Sequence, residues 1–152
     1  MTQRSAYQTH AAAGLKGLGG VHVYISNCGL PKQLIDLVYL RTSQINGCAY
    51  CIDMHTADLR KGGMPVEKLM LVSAWREAGR YFSEQERAAL AWTESVTNIS
   101  ETHAPDADYQ AAAAQFGEKE LADLTLAIAL MNTYNRMAIA FRRGPDSQGR
   151  VG

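Results

Sequence analysis

Two cysteines spaced C-x-x-C, Cys48 and Cys51, are followed four residues on by His55, and an acidic residue, Asp36, stands twelve positions before the first of them. A helix from Cys48 to Lys61 places Cys48, Cys51 and His55 at i, i+3 and i+7, which about 3.6 residues per turn gathers onto one stripe. Asn46-Gly47 interrupts the preceding apolar run, so Cys48 is predicted in the first turn of that helix. There, free N–H groups and the positive end of the helix dipole favour thiolate over thiol. The pair is expected to be redox-active. His55 adds a base that can accept the Cys51 proton, as in a Cys–His nucleophile pair. Asp36, if its helix packs against this one, orients His55 and favours its charged form, completing a three-part relay.

Other uses of these residues fit less well. Zinc would find three ligands in Cys48, Cys51 and His55, but structural zinc takes four, and no second C-x-x-C or H-x-x-x-H pair supplies the last. A purely structural disulfide across i and i+3 closes a very small loop and constrains the unfolded chain little. His55 as a surface histidine and Asp36 as a solvated aspartate are the ordinary fates of such residues in a helix.

The stretch LRTSQINGCAYCIDMHTADLRKGG resembles the signature of the AhpD-like alkyl hydroperoxidases, within the carboxymuconolactone decarboxylase superfamily. The likeness extends from about Leu30 to Gly63, and ALMNTYNRMAIAFRR near the C-terminus is similar as well. C-x-x-C alone is unspecific; C-x-x-C-x-x-x-H preceded by SQINGC is much more so. The resemblance implies a peroxidase in which Cys51 attacks the hydroperoxide, Cys48 resolves the sulfenic acid to a disulfide, and His55 accepts the proton. It implies no cofactor, regeneration by an external dithiol of thioredoxin-like or lipoyl type, and a trimer or hexamer of identical chains. Two positions depart from the family pattern. Asp36 stands where glutamate is usual, shortening the reach toward His55 by about 1.5 Å, enough to break a direct hydrogen bond unless water bridges it. Tyr50 stands where some of these peroxidases carry a histidine between the cysteines.

The rest of the chain sets the frame. Its 152 residues, 47% of them hydrophobic, suit one domain over 1–152 with a single core. Fifteen basic residues balance fifteen acidic ones, leaving no field of one sign to attract nucleic acid or anionic lipid. The N-terminal segment lacks the unbroken apolar core of a signal peptide, and the most apolar helix is interrupted by Asn132, Asn135 and Arg136. A soluble cytoplasmic protein is expected, and in a reducing cytosol a C-x-x-C is more plausibly catalytic than structural. Cys28, the odd thiol, is expected free and buried.

No run alternates with the period of a strand, so the pattern predicts an all-α protein; the family implies a helical bundle in which a two-helix hairpin carries the motif at the start of a helix. Helices are predicted from about Arg4 to Cys28, with four glycines suggesting a bend or a close crossing, and from Lys32 to Ile45 behind Pro31. Others run from Cys48 to Lys61, stopped by Gly62-Gly63, and from Pro65 to about Arg76. Ser83 and Glu86 form a capping box for a helix to about Asn98; two more run from Asp106 to Phe116 and from Lys119 to Arg142. Trp75 and Trp92 are expected in the core, and Asn132, Asn135 and Arg136 to hydrogen-bond between helices or subunits. Asp58 and the Arg60-Lys61 pair are expected in solvent, and the tail from Gly144 loose. Besides the peroxidase, the sequence admits a thiol–disulfide exchanger or redox sensor, and a non-enzymatic zinc or interaction module. The superfamily's lactone decarboxylation fits a branch without the C-x-x-C pair.

Overall fold

The computed structural model describes residues 2–147; the tail beyond Ser147, including most of the segment expected to be loose, lies outside the described residues. Among the described residues every regular element is helical, and no helix is long and apolar enough to cross a membrane. The elements are α1 (Tyr7–His10), α2 (Ala12–Ser26), α3 (Lys32–Asn46), α4 (Ala49–Lys61), α5 (Val66–Met70), two 3-10 turns (Val72–Glu77 and Gly79–Tyr81), α6 (Glu84–Thr97), α7 (Ile99–Thr102), α8 (Asp106–Ala113) and α9 (Glu118–Ala140).

The bundle is built around α3, which packs on α4, α6 and α9. The sequence suggests one apolar face for α3; instead Leu34 to Leu40 are buried without a break, because neighbours enclose it on several sides. It divides the interior in two. Leu34, Ile35, Val38 and Tyr39 join a cluster with α9 and both motif cysteines, whereas Leu37 and Leu40 join Leu59, Leu69, Val72, Trp75, Phe82 and Leu90. Trp75 is thus core, its indole N–H donating to Glu94 at 2.8 Å, and Glu94 also accepts from Arg41 at 2.7 and 2.9 Å. Trp92 is core too, donating to Thr125 on α9.

Local signals fix most helix ends. Gly47 ends α3 in the left-handed conformation (φ 71°), with its own N–H reaching Gln44 and the Cys48 N–H reaching back to Ser43 at 3.0 Å, a Schellman closure that a β-carbon would strain. Gly63 (φ 87°) follows α4, and Ser83 and Glu86 form the predicted capping box of α6. Elsewhere the structure departs from the simple pattern. The expected first helix is divided at Ala11, and its glycines meet nothing within 4 Å, so they serve no close crossing. Past Met70 the chain tightens into 3-10 turns, kinked at Ala74, in place of a continued helix.

The long α9 is tied to α3 by amides. Asn46, the last residue of α3, donates to Asn132 Oδ1 at 3.0 Å and to Asn135 Oδ1 at 2.9 Å; Asn135 in turn donates to Ser43 Oγ at 3.0 Å. Arg136 donates to Asn132 Oδ1, so all three polar residues that interrupt α9 find partners. Asn135 is fully buried, and removing it strands the groups it serves. Asn135→Ala is expected to cost roughly 1–3 kcal/mol, against about 0.5 kcal/mol or less for Thr133→Ala on the exposed face of the same helix. Urea denaturation of the two variants checks this; equal losses would mean that the amide tie contributes nothing.

Candidate active site

The turn between α3 and α4 positions the cysteines. With α3 stopped at Gly47, Cys48 takes an extended backbone (φ −84°, ψ 93°) and caps α4, one residue before the first helical turn that the sequence suggests for it. Its sulfur accepts the Cys51 N–H at 3.4 Å and lies 2.6 Å from the Cys51 sulfur. Both thiols are free and buried.

Sulfurs this close do not both carry charge, because two adjacent thiolates repel. The hydrogen bond from the Cys51 thiol, helped by backbone N–H groups and Asn135, outweighs burial and holds the Cys48 thiol down at about 7. Cys51 is pushed up, first because it is the donor in that bond and second by burial. Negative charge therefore rests on the capping sulfur, where the α4 N-terminus favours it. Cys28 stays apart from the pair and is half-buried, more open than its sequence context suggests.

His55, one turn beyond Cys51, is 4% exposed, and neither ring nitrogen has a hydrogen-bond partner. Burial pushes its pKa down to about 4, only partly offset by Asp58, whose carboxylate is 3.9 Å from Nδ1. The ring is neutral at pH 7 and lies against Tyr39, with ring centres 5.1 Å apart. Tyr39 is buried as well, its hydroxyl without a partner. Asp36 comes from α3 and borders the same cavity of about 530 Å³ as His55. Its carboxylate accepts from Lys32 one turn back and makes no hydrogen bond to the imidazole. Burial raises the Asp36 pKa, and Lys32 opposes that rise.

The structure thus brings the two cysteines into contact and sets Asp36 beside His55, but it joins neither Cys51 nor Asp36 to the imidazole by a hydrogen bond. Cys51 borders a different cavity, of about 270 Å³, and Met54 and Tyr134 border both. Cys48 borders a third, of about 320 Å³, with Arg142 and Arg143. Asp36, His55 and Asp58 offer donor atoms within 4.8 Å of one another, the set among the described residues with the chemistry to hold a hard cation; Lys32 already supplies positive charge to Asp36.

Several site residues escape a sequence reading. Asp58 is exposed as expected, yet it faces His55, which its i+3 spacing on α4 signals. Asn135 from α9 lowers the pKa of both thiols and Ser43 from α3 that of Cys51, and Arg143 lies over the Tyr50 ring at 3.7 Å. Those contacts join distant segments and leave no local mark.

Comparison with known proteins identifies the fold and the family. The carboxymuconolactone decarboxylase family profile matches residues 10–95. The uncharacterized protein YdfG of Bacillus subtilis is 36% identical over 140 residues, covering 92% of this chain and 95% of its own length. The alkyl hydroperoxide reductase AhpD of Hyphomonas neptunium is 44% identical over 45 residues, 30% of this chain and 25% of its own. Among solved structures, a protein of unknown function from Agrobacterium tumefaciens, described with the name of the antioxidant defence protein AhpD, superposes with a TM-score of 0.91 at 38% identity, covering 95% of this chain and 98% of that one. The chain belongs to the carboxymuconolactone decarboxylase family and, within that superfamily, is AhpD-like.

Proposed function

We propose that the chain is a thiol peroxidase that reduces organic hydroperoxides through Cys51 and Cys48. The observation that carries this reading is the pair of adjacent sulfurs, 2.6 Å apart, with Cys51 bordering an apolar cavity. The resting charge favours Cys48, whereas the cavity and the family resemblance favour Cys51 as the attacking atom. Cys48, the thiol held lower of the two and adjacent to Cys51, is the immediate base that takes the Cys51 proton. Cys51 thiolate then attacks the terminal peroxide oxygen and the O–O bond breaks. The products are a Cys51 sulfenic acid and an alkoxide, which takes the proton held by Cys48 and leaves as the alcohol. Cys48 thiolate attacks the sulfenic sulfur, forming the disulfide and releasing hydroxide. An external dithiol is oxidised as it restores both thiols by exchange.

His55 fits a supporting role. Neutral, with both nitrogens unpartnered, it takes the proton that the incoming dithiol loses and passes it through water to the hydroxide of the resolving step, and Asp58 favours its protonated form. Asp36 acts there without direct contact, as its shortened side chain implies. The burial of both sulfurs favours a small substrate and a slender dithiol such as a lipoyl group over exchange with a globular disulfide protein, which would need an exposed sulfur.

Stopped-flow turnover of cumene hydroperoxide with dihydrolipoamide, paired with intact-mass measurement, tests the assignment. One equivalent of peroxide should remove two hydrogens from the wild-type chain and leave Cys48→Ser with a sulfenic acid trapped by dimedone. Cys51→Ser should lower kcat/KM by roughly 10³-fold or more; full activity in that variant would move the attack to Cys48. The oxidation rate should rise with pH through a midpoint at about 7 and then level off, because the reactive thiolate is lost as pH falls through the depressed value of Cys48. A midpoint at the ordinary thiol value would remove Cys48 as the base from the scheme. His55 also marks stability. Its folded pKa of about 4 lies below the unfolded value of 6.5, so between these values the unfolded state binds the extra proton and folding weakens as pH falls. The loss approaches the order of 3 kcal/mol by pH 4. Denaturation of wild type and His55→Gln from pH 7 to pH 4 should therefore show a steeper fall for wild type, and parallel curves would show that the ring is not buried neutral.

A further inference from the structure

The cavity at Cys51 has an uneven wall. Tyr7, Leu15, Met54, Met131 and Met137 make it apolar, and among its lining residues Arg143 alone carries a fixed charge. The guanidinium carbon lies over the Tyr50 ring, 3.7 Å from its centre, and Tyr50 is next in sequence to Cys51. Among the described residues it donates no side-chain hydrogen bond, and its nearest carboxylate, Asp146, is 3.9 Å away and largely in solvent. A guanidinium over an aromatic ring spends none of its N–H groups on that contact, and its fork of donors binds a carboxylate through two parallel hydrogen bonds. The Arg143 side chain is 28% exposed, so that edge is partly withdrawn from water yet reachable.

We propose that this cavity selects hydroperoxides carrying a carboxylate on an apolar body, with Arg143 holding the carboxylate while the peroxide group meets Cys51. The inference rests on the peroxidase reading above and adds the substrate class. The chemistry is unchanged: the hydroperoxide becomes the alcohol as the two thiols become a disulfide, and the carboxylate is a spectator. Fatty-acid hydroperoxides and aromatic acid hydroperoxides share this chemistry.

The test compares matched pairs that differ only in charge: cumene hydroperoxide with its para-carboxylate, and linoleic acid hydroperoxide with its methyl ester. In the wild-type chain kcat/KM should favour the acid of a pair by about tenfold or more, and Arg143→Gln should bring that ratio to about one or below. The pair with the larger ratio identifies the body the cavity fits. A wild-type ratio near one for both pairs, or a ratio unchanged in Arg143→Gln, overturns the proposal. A second measurement needs no variant: octanoate should inhibit cumene hydroperoxide turnover competitively and octanamide much less, and equal inhibition overturns it too. Absence of any turnover of cumene hydroperoxide by wild type would instead remove the peroxidase reading itself.

Discussion

The side chain of Asn46 is the point on which the arrangement turns. It ends α3, and both of its bonds go to asparagines of α9, so the place where α3 stops is fixed by a helix far along the chain. Gly47 then reverses the backbone and Cys48 begins the next helix from a set position. Asn135 closes the loop of dependence, since the residue that anchors Asn46 also bears on Cys48 and Cys51. A buried amide with no partner is costly, and a fully served one pins its surroundings. The same bonds that hold the bundle together therefore hold the sulfurs where they can meet.

Burial sets the electrostatics of everything that follows. Away from water a charge survives only where donors face it, and Cys48 has them in the Cys51 thiol and the start of α4. His55 has none, so it stays neutral. Asp36 keeps a cationic neighbour in Lys32, which explains why the carboxylate sits near the imidazole without bonding to it. The three groups that the sequence joins into one relay are distributed over two cavities, with Met54 and Tyr134 at their common border.

What the sequence disclosed was mostly local. The Gly47 stop, the Gly62-Gly63 end of α4 and the Ser83–Glu86 box follow from backbone conformation and capping within a few residues, and a reader of the chain can find them. The 3-10 turns after Met70 run against residues with good helix propensity; there the burial of Val72 and Trp75 overrides a weak local preference, whereas nothing in the structure explains the break at Ala11. The closeness of Cys48 and Cys51 was legible from spacing, and so, in hindsight, was the Lys32–Asp36 pair at i and i+4. The lack of a bond from His55 was not, because it depends on what Tyr39 and Asp36 on another helix fill or leave open. Arg143 over Tyr50 joins positions so far apart that no pattern in the chain announces it.

The glycines of α2 bear on how anything reaches a hidden sulfur. Tyr7 and Leu15 help to wall the Cys51 cavity, yet across α1 and α2 only Tyr7 and Ile25 are buried, and Gly14, Gly17, Gly19 and Gly20 stand in open space. Each glycine weakens a helix by about 1 kcal/mol relative to alanine, so this segment is the part of the bundle most easily lifted while α3, α4 and α9 stay assembled. Opening a path to the Cys51 cavity therefore costs less at this segment than at the three helices beneath it.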